Sequence, residues 1–167
     1  LGFGQDASAE LYVLGSQTGI PFGDTGVVLR IAPVTPPAAN FRAHLSGDQE
    51  VPPVDTRAQG QATFRFNKDA SALSFKLNVA NIEDVLAAHI HCAPDGVNGP
   101  VGVTLFGGGP VSPKGTLAQG TVAGPDAGNA CNWATLGDVL TAIQNGYAYA
   151  NVHTLAHPPG EIRGQIH

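Results

Sequence analysis

The chain has no methionine, only three lysines and no run of basic residues. Charged residues make up 13% of its 167 positions, and the formal net charge is −5. This balance argues against a protein that binds nucleic acid through electrostatic attraction. No stretch approaches the ~20 consecutive apolar residues of a membrane-spanning helix, so we expect no transmembrane segment.

The first ten residues lack the charged start and the apolar stretch of a signal peptide. We interpret the chain as the mature form of a secreted protein, extracellular or at the cell surface, whose leader has been removed. The alternative is that the start of the sequence was omitted. Cysteine is scarce, with only Cys92 and Cys131. In a secreted protein an even number of cysteines favours a disulfide, and two buried free thiols are the alternative.

Composition divides the chain into three parts. Residues 1–33 contain two strand-like runs separated by a turn-rich segment, and we interpret them as an N-terminal strand-forming arm. Residues 34–40 are Pro-rich and predict a stiff linker before a domain at residues 41–167. The arm either covers a sheet edge of its own domain or, as a donor strand, completes the sheet of another copy. Head-to-tail donation that does not close into a ring would build a filament.

Alternating apolar and polar residues dominate from Phe41 onward. Short runs of this kind, separated by turns rich in Gly, Pro, Asn and Asp, predict β-strands of a sandwich or barrel. A short helical turn is expected at residues 82–88.

One segment has helical spacing instead. Leu136, Val139 and Ile143 would share one face of an amphipathic helix. Thr135 with Asp138 three residues later indicates a capping box at its start.

Three histidines form the most specific candidate site. His89 and His91 flank one apolar residue in a predicted strand, so their side chains should lie on the same face. His153 stands next to an apolar residue in another predicted strand. If these two strands are neighbours, three imidazoles converge into a ligand set suited to copper or zinc. An open fourth position would then remain.

Other polar residues extend or compete with this interpretation. His44 and His157 are additional candidate ligands. Alternatively, all these histidines hydrogen-bond loop carbonyls that lack partners in the sheet. Glu50, Glu161 and Arg163 are expected to brace loops through ion pairs. We find no arrangement that predicts catalysis, so a non-enzymatic role is favoured and enzymatic activity is left open.

Three stretches occur in an order that resembles the CHRD domain, a family named after chordin: residues 41–54, 87–101 and 149–166. The resemblance implies a secreted, all-β, Greek-key, immunoglobulin-like β-sandwich or barrel. It also implies a role in interactions rather than a defined enzymatic activity. With the helix and the N-terminal β-arm, this is the fold that we expect.

The histidine motif is also similar to the copper ligands of copper/zinc superoxide dismutase, where a His-x-His and a later strand histidine bind copper. His89, His91 and His153 match that pattern, but no residue matches the bridging histidine or the zinc ligands.

Our leading hypothesis is therefore a secreted structural or interaction module that binds copies of itself or other extracellular proteins. The alternative is a copper- or zinc-binding protein.

Overall fold

The computed structural model of the chain describes residues 2–5, 11–16, 26–31 and 39–167. The chain divides into two compact units, Leu1–Thr35 and Pro36–His167. Most of the predicted linker at residues 34–40, and the turn-rich part of the predicted arm, lie outside the described residues.

The first unit contains a three-stranded antiparallel sheet in chain order. Its strands are β1 (Gly2–Gln5), β2 (Leu11–Ser16) and β3 (Gly26–Ile31). The last two coincide with the predicted strand runs, whereas β1 is a strand that the sequence pattern did not indicate. Whether these strands pair with another sheet stays a prediction.

The second unit is built on one eight-stranded antiparallel sheet. Its strands are β4 (Asn40–Ser46), β5 (Gln59–Phe66), β6 (Leu73–Ala80), β7 (Val85–His91), β8 (Val101–Val111), β9 (Gly115–Val122), β10 (Tyr149–Thr154) and β11 (Ile162–Gln165). They lie in the order β8-β7-β10-β11-β4-β5-β6-β9. Only residues 112–114 separate the two edge strands, so the edges must approach each other and the sheet is barrel-like. The all-β prediction is confirmed.

Alternation along the strands determines which side chains form the core. In β5 every second residue is buried, and Phe64 and Phe66 point into the barrel. Ala43 and Leu45 on β4 do the same. This pattern follows from the twofold repeat of side-chain direction in a strand.

The single α-helix of the described residues, α1 (Leu136–Gln144), buries Leu136, Val139 and Ile143. Thr135 and Asp138 form the predicted capping box. The helical turn expected at residues 82–88 was wrong, because β7 begins at Val85 and pairs with both β8 and β10. No helix in the described part of the chain is long and apolar enough to cross a membrane.

A disulfide joins Cys92 and Cys131, as predicted. Cys92 follows the last residue of β7, and Cys131 lies shortly before α1. The crosslink therefore fixes the start of the loop that follows β7. Within this loop the backbone N–H of Cys92 also donates to Pro100 O.

Loops cover the outer face of β7, β10 and β11. Ile90 and Val152 point into the core, so the residues beside them face outward. Nevertheless, outward-facing Asn151 and Arg163 are only 2% and 1% exposed. The barrel thus has a second, polar buried layer between this face and its covering loops.

Candidate metal centre

Strands β7 and β10 are antiparallel neighbours, with His89 opposite Asn151. The strands that carry the three histidines are therefore neighbours, as the predicted convergence of the imidazoles requires. His89, His91 and His153 lie on the outward face of these two strands. One candidate ligand atom from each histidine lies within 4.8 Å of the others. The ring centroids are 5.0 to 5.6 Å apart.

Two of the three rings are oriented by backbone carbonyls. His91 Nδ1 lies 2.9 Å from Gly99 O, and His153 Nδ1 lies 3.0 Å from Pro158 O. Because a carbonyl oxygen only accepts hydrogen bonds, each Nδ1 must be the donor. The neutral tautomer of each ring then has an unprotonated Nε2. The carbonyl contacts expected as an alternative to metal ligation are present, and they leave one nitrogen of each ring free.

These two Nε2 atoms are 3.3 Å apart. In the neutral state both present lone pairs, so their contact is repulsive unless a cation lies between them. Two nitrogens bound to one tetrahedral zinc ion at about 2.05 Å are separated by about 3.3 Å. The observed spacing therefore fits two ligands of a single ion.

Burial disfavours a proton as that cation. Desolvation lowers the pKa of His89 and of His91 to about 4, and it also lowers the pKa of His153. Repulsion between the rings lowers the pKa of His89 and His91 further. At neutral pH the three imidazoles are consequently uncharged, which is the protonation state that a metal requires.

His89 completes the cluster with a different orientation. Its Nδ1 is buried and has no hydrogen-bond partner among the described residues. A buried polar atom without a partner is destabilising, and ligation would satisfy it. The Asp126 carboxylate, which accepts hydrogen bonds from Thr104, opposes the fall in the pKa of His89.

A second layer of side chains supports His91. Tyr149 stacks on its ring with the centroids 4.9 Å apart, and the Tyr149 hydroxyl contacts both N and O of Gly99. The guanidinium carbon of Arg163 lies 3.7 Å from the centre of the Tyr149 ring. Tyr149 was not assigned to this site from the sequence. Tyr149 stands two residues before Asn151 in the same strand, so the two side chains share the outward face. This spacing was the sequence signal that could have placed Tyr149 near the histidines.

The remaining candidate residues lie elsewhere. His44 is exposed on β4, and His157 lies in the turn after β10; neither belongs to the group of converging ligand atoms in the described residues. Arg163 is buried, and its Nη1 donates to Val97 O and Asn98 Oδ1.

The two glutamates have different environments. Glu161 accepts hydrogen bonds from Thr56 and Thr154. Burial raises the pKa of Glu50 to about 7, partly opposed by the Arg163 guanidinium. The predicted ion-paired brace between loops was wrong in its chemistry. Glu161 accepts hydrogen bonds and Arg163 donates them, and none of the described residues forms an ion pair with either.

Comparison with known proteins gives one family. The CHRD domain family matches residues 41–166, which is most of the chain. No curated protein and no solved structure matches the chain.

Proposed function

The chain belongs to the CHRD domain family, and from this premise we propose that it is an extracellular module that binds one copper or zinc ion through His89, His91 and His153. The family indicates an extracellular interaction domain, and the histidine cluster supplies the finer part of the proposal. The observation that carries it is the pair of unprotonated Nε2 atoms 3.3 Å apart on His91 and His153.

Three features of the cluster support a metal role. The ligands are neutral imidazoles, which suit copper and zinc. In His91 and His153 the ring nitrogen that faces away from the centre donates to a backbone carbonyl, as is usual for metal-binding histidines. His89 and His153 are partly exposed, so an ion can enter.

The test is metal content measured by native mass spectrometry after loading with copper or zinc and removal of excess ion. We expect one ion per chain in the full-length protein. Replacing His89 and His153 with alanine together should abolish stoichiometric binding. The matched control is the double variant His44→Ala with His157→Ala, which removes two histidines outside the cluster and should retain the ion.

Two results would contradict the proposal. One is a wild-type chain without a stoichiometric ion after loading. The other is a His89 and His153 double variant that keeps as much metal as the control.

A second candidate function, self-assembly, is favoured by the surface of the first unit. Phe3, Leu11 and Val28 are 78%, 50% and 64% exposed. Phe3 and Leu11 share one face of the three-stranded sheet, and the pairing register places Val28 on the other. Burial of these side chains against a second copy would remove apolar surface from water, which favours association.

This second candidate is tested by the oligomeric state of the full chain. We expect the chain to form oligomers that persist in a chelator. The double variant Phe3→Ser with Val28→Ser should be monomeric. The control is Val111→Ser, which changes an exposed apolar residue in the other unit. A wild-type chain that is monomeric at high concentration would exclude self-assembly.

A further inference from the structure

The outer face of the sheet formed by β4, β5, β6 and β9 carries positive charge without compensation. Arg42, Arg65 and Lys76 are exposed on this face, while the residues alternating with them point into the core. No aspartate or glutamate occurs in any of these four strands. These four strands thus carry three cations and no acidic residue in a chain whose formal net charge is −5.

Strand pairing brings the three cations together. Arg42 is opposite Thr63, and Thr63 is opposite Lys76, so the two cations lie in one row across three strands. With strands ~4.8 Å apart, their Cα atoms are about 10 Å apart. Arg65 lies two residues further along the middle strand, about 8 Å from each of the others. We call these three residues the cationic triangle.

The side chains of the cationic triangle have no partner among the described residues. Across residues 39–167, none of its three side chains forms an ion pair or a hydrogen bond. Arg163 is the opposite case, because it is buried and donates to two loop oxygens. Exposed cations that stabilise nothing locally remain available to an external anion.

The three cations line one open cavity together with polar Asn40, Thr63 and Ser74, and Phe41, Phe64 and Phe75 also contribute to its lining. Ser74 and Thr121 hydroxyls lie 3.0 Å apart, and Thr116 donates to Asn78 on the adjacent strand. None of the exposed large hydrophobic residues in the described part of the chain lies on these four strands.

We propose that the cationic triangle binds an acidic polysaccharide, a chain of sugars with repeating carboxylate groups. Separated cations among hydroxyl and amide groups match a hydrated polymer with spaced charges. The proposal does not depend on the metal centre, because His89, His91 and His153 lie on other strands.

The test is binding of the full-length protein to alginate, a polyuronate, in chelator and at low ionic strength. The face variant replaces Arg42, Arg65 and Lys76 with glutamine. The matched control replaces Arg57, Lys68 and Lys114, which are exposed outside these strands, with glutamine and has the same net charge. We expect the face variant to bind about tenfold more weakly, and the control to bind like the wild type.

Neutral dextran and poly-glutamate complete the experiment. Dextran should not bind, and the affinity for alginate should fall as salt screens the charges. Equal weakening in the face variant and the control, or no binding by the wild type, would overturn the proposal. Poly-glutamate that competes as well as alginate would overturn the choice of a polysaccharide. Because all six substituted residues are exposed, thermal melts should show both variants folded.

Discussion

His91 and His153 approach each other across β7 and β10 with their Nε2 atoms 3.3 Å apart, while the Nδ1 atom of each ring is held by a carbonyl. Each carbonyl comes from the loop that follows the strand of its own histidine. The loops therefore determine which nitrogen of each ring faces the partner ring, and a cation bound between these two nitrogens would relieve their repulsion.

Metal binding should stabilise the folded chain. An ion that binds only the folded state at a free concentration 100 times its Kd adds about 2.7 kcal/mol to the free energy of unfolding. Urea unfolding with and without zinc measures this difference. His44→Ala should keep the stabilisation and His91→Ala should lose it; equal responses in these two variants would exclude the cluster as the site.

Removing the disulfide should weaken both the fold and the metal centre. The bond joins cysteines 39 residues apart, so replacing Cys92 and Cys131 with serine should cost about 2–4 kcal/mol of unfolding free energy. The loop that it fixes contains Gly99, whose carbonyl orients His91.

We therefore expect zinc affinity, measured by competition with a chelating dye, to fall in the same variant. Reduction of the wild-type protein under folded conditions is the control and should have the same effect. Unchanged zinc affinity in both would show that the loop does not need the crosslink.

Glu50 should make the protein less stable as pH rises. Its pKa is about 7 in the folded chain against an ordinary value of 4.5, so the folded state holds the proton more tightly. This contribution is fully present below about pH 4.5 and is lost as pH rises through about 7. Glu50→Gln should therefore be more stable than the wild type at pH 8, by about 1–2 kcal/mol.

Urea unfolding at pH 5 and pH 8 tests this expectation. Glu83→Gln, an exposed position, serves as the control and should follow the wild type at both pH values. A Glu50→Gln variant with the same change in stability between the two pH values as the wild type would contradict it.

Gly102 should not tolerate a side chain. A Cβ atom there would overlap the six-membered ring of Trp133, which packs against the core. Gly102→Ala should lower the free energy of unfolding by about 1–3 kcal/mol. Gly107→Ala, on the same strand with open space at its Cβ, should change it little; an equal loss in both variants would mean that strand propensity, not the tryptophan, is responsible.

The sequence contained most of the information on local structure. Strand alternation is a repeat of two and helix spacing a repeat of 3.6, so Phe64 and Phe66 on β5, and Leu136 and Val139 on α1, could be assigned to the core before folding was considered. The pattern failed at residues 82–88. An apolar run in a strand buried on both faces cannot be distinguished from a short helix by periodicity alone.

The candidate site was predicted only in part. The shared face of His89 and His91 follows from their spacing, and similarity added His153. The role of Tyr149 was not predicted, because local periodicity does not determine which strand lies beside β7 or which loop covers it.

The sequence by itself determined the elements, the direction of each side chain along its strand, and the family, because these depend on neighbouring residues and ordered motifs. Only the tertiary structure decided the rest. Strand order placed β7 beside β10, the loops selected the tautomers of His91 and His153, and burial lowered the pKa of both rings. The pairing of β7 with β10 joins residues about sixty positions apart. The carbonyls that orient His91 and His153 are only eight and five positions away, but each loop must fold back over its own strand to bring its carbonyl to the ring.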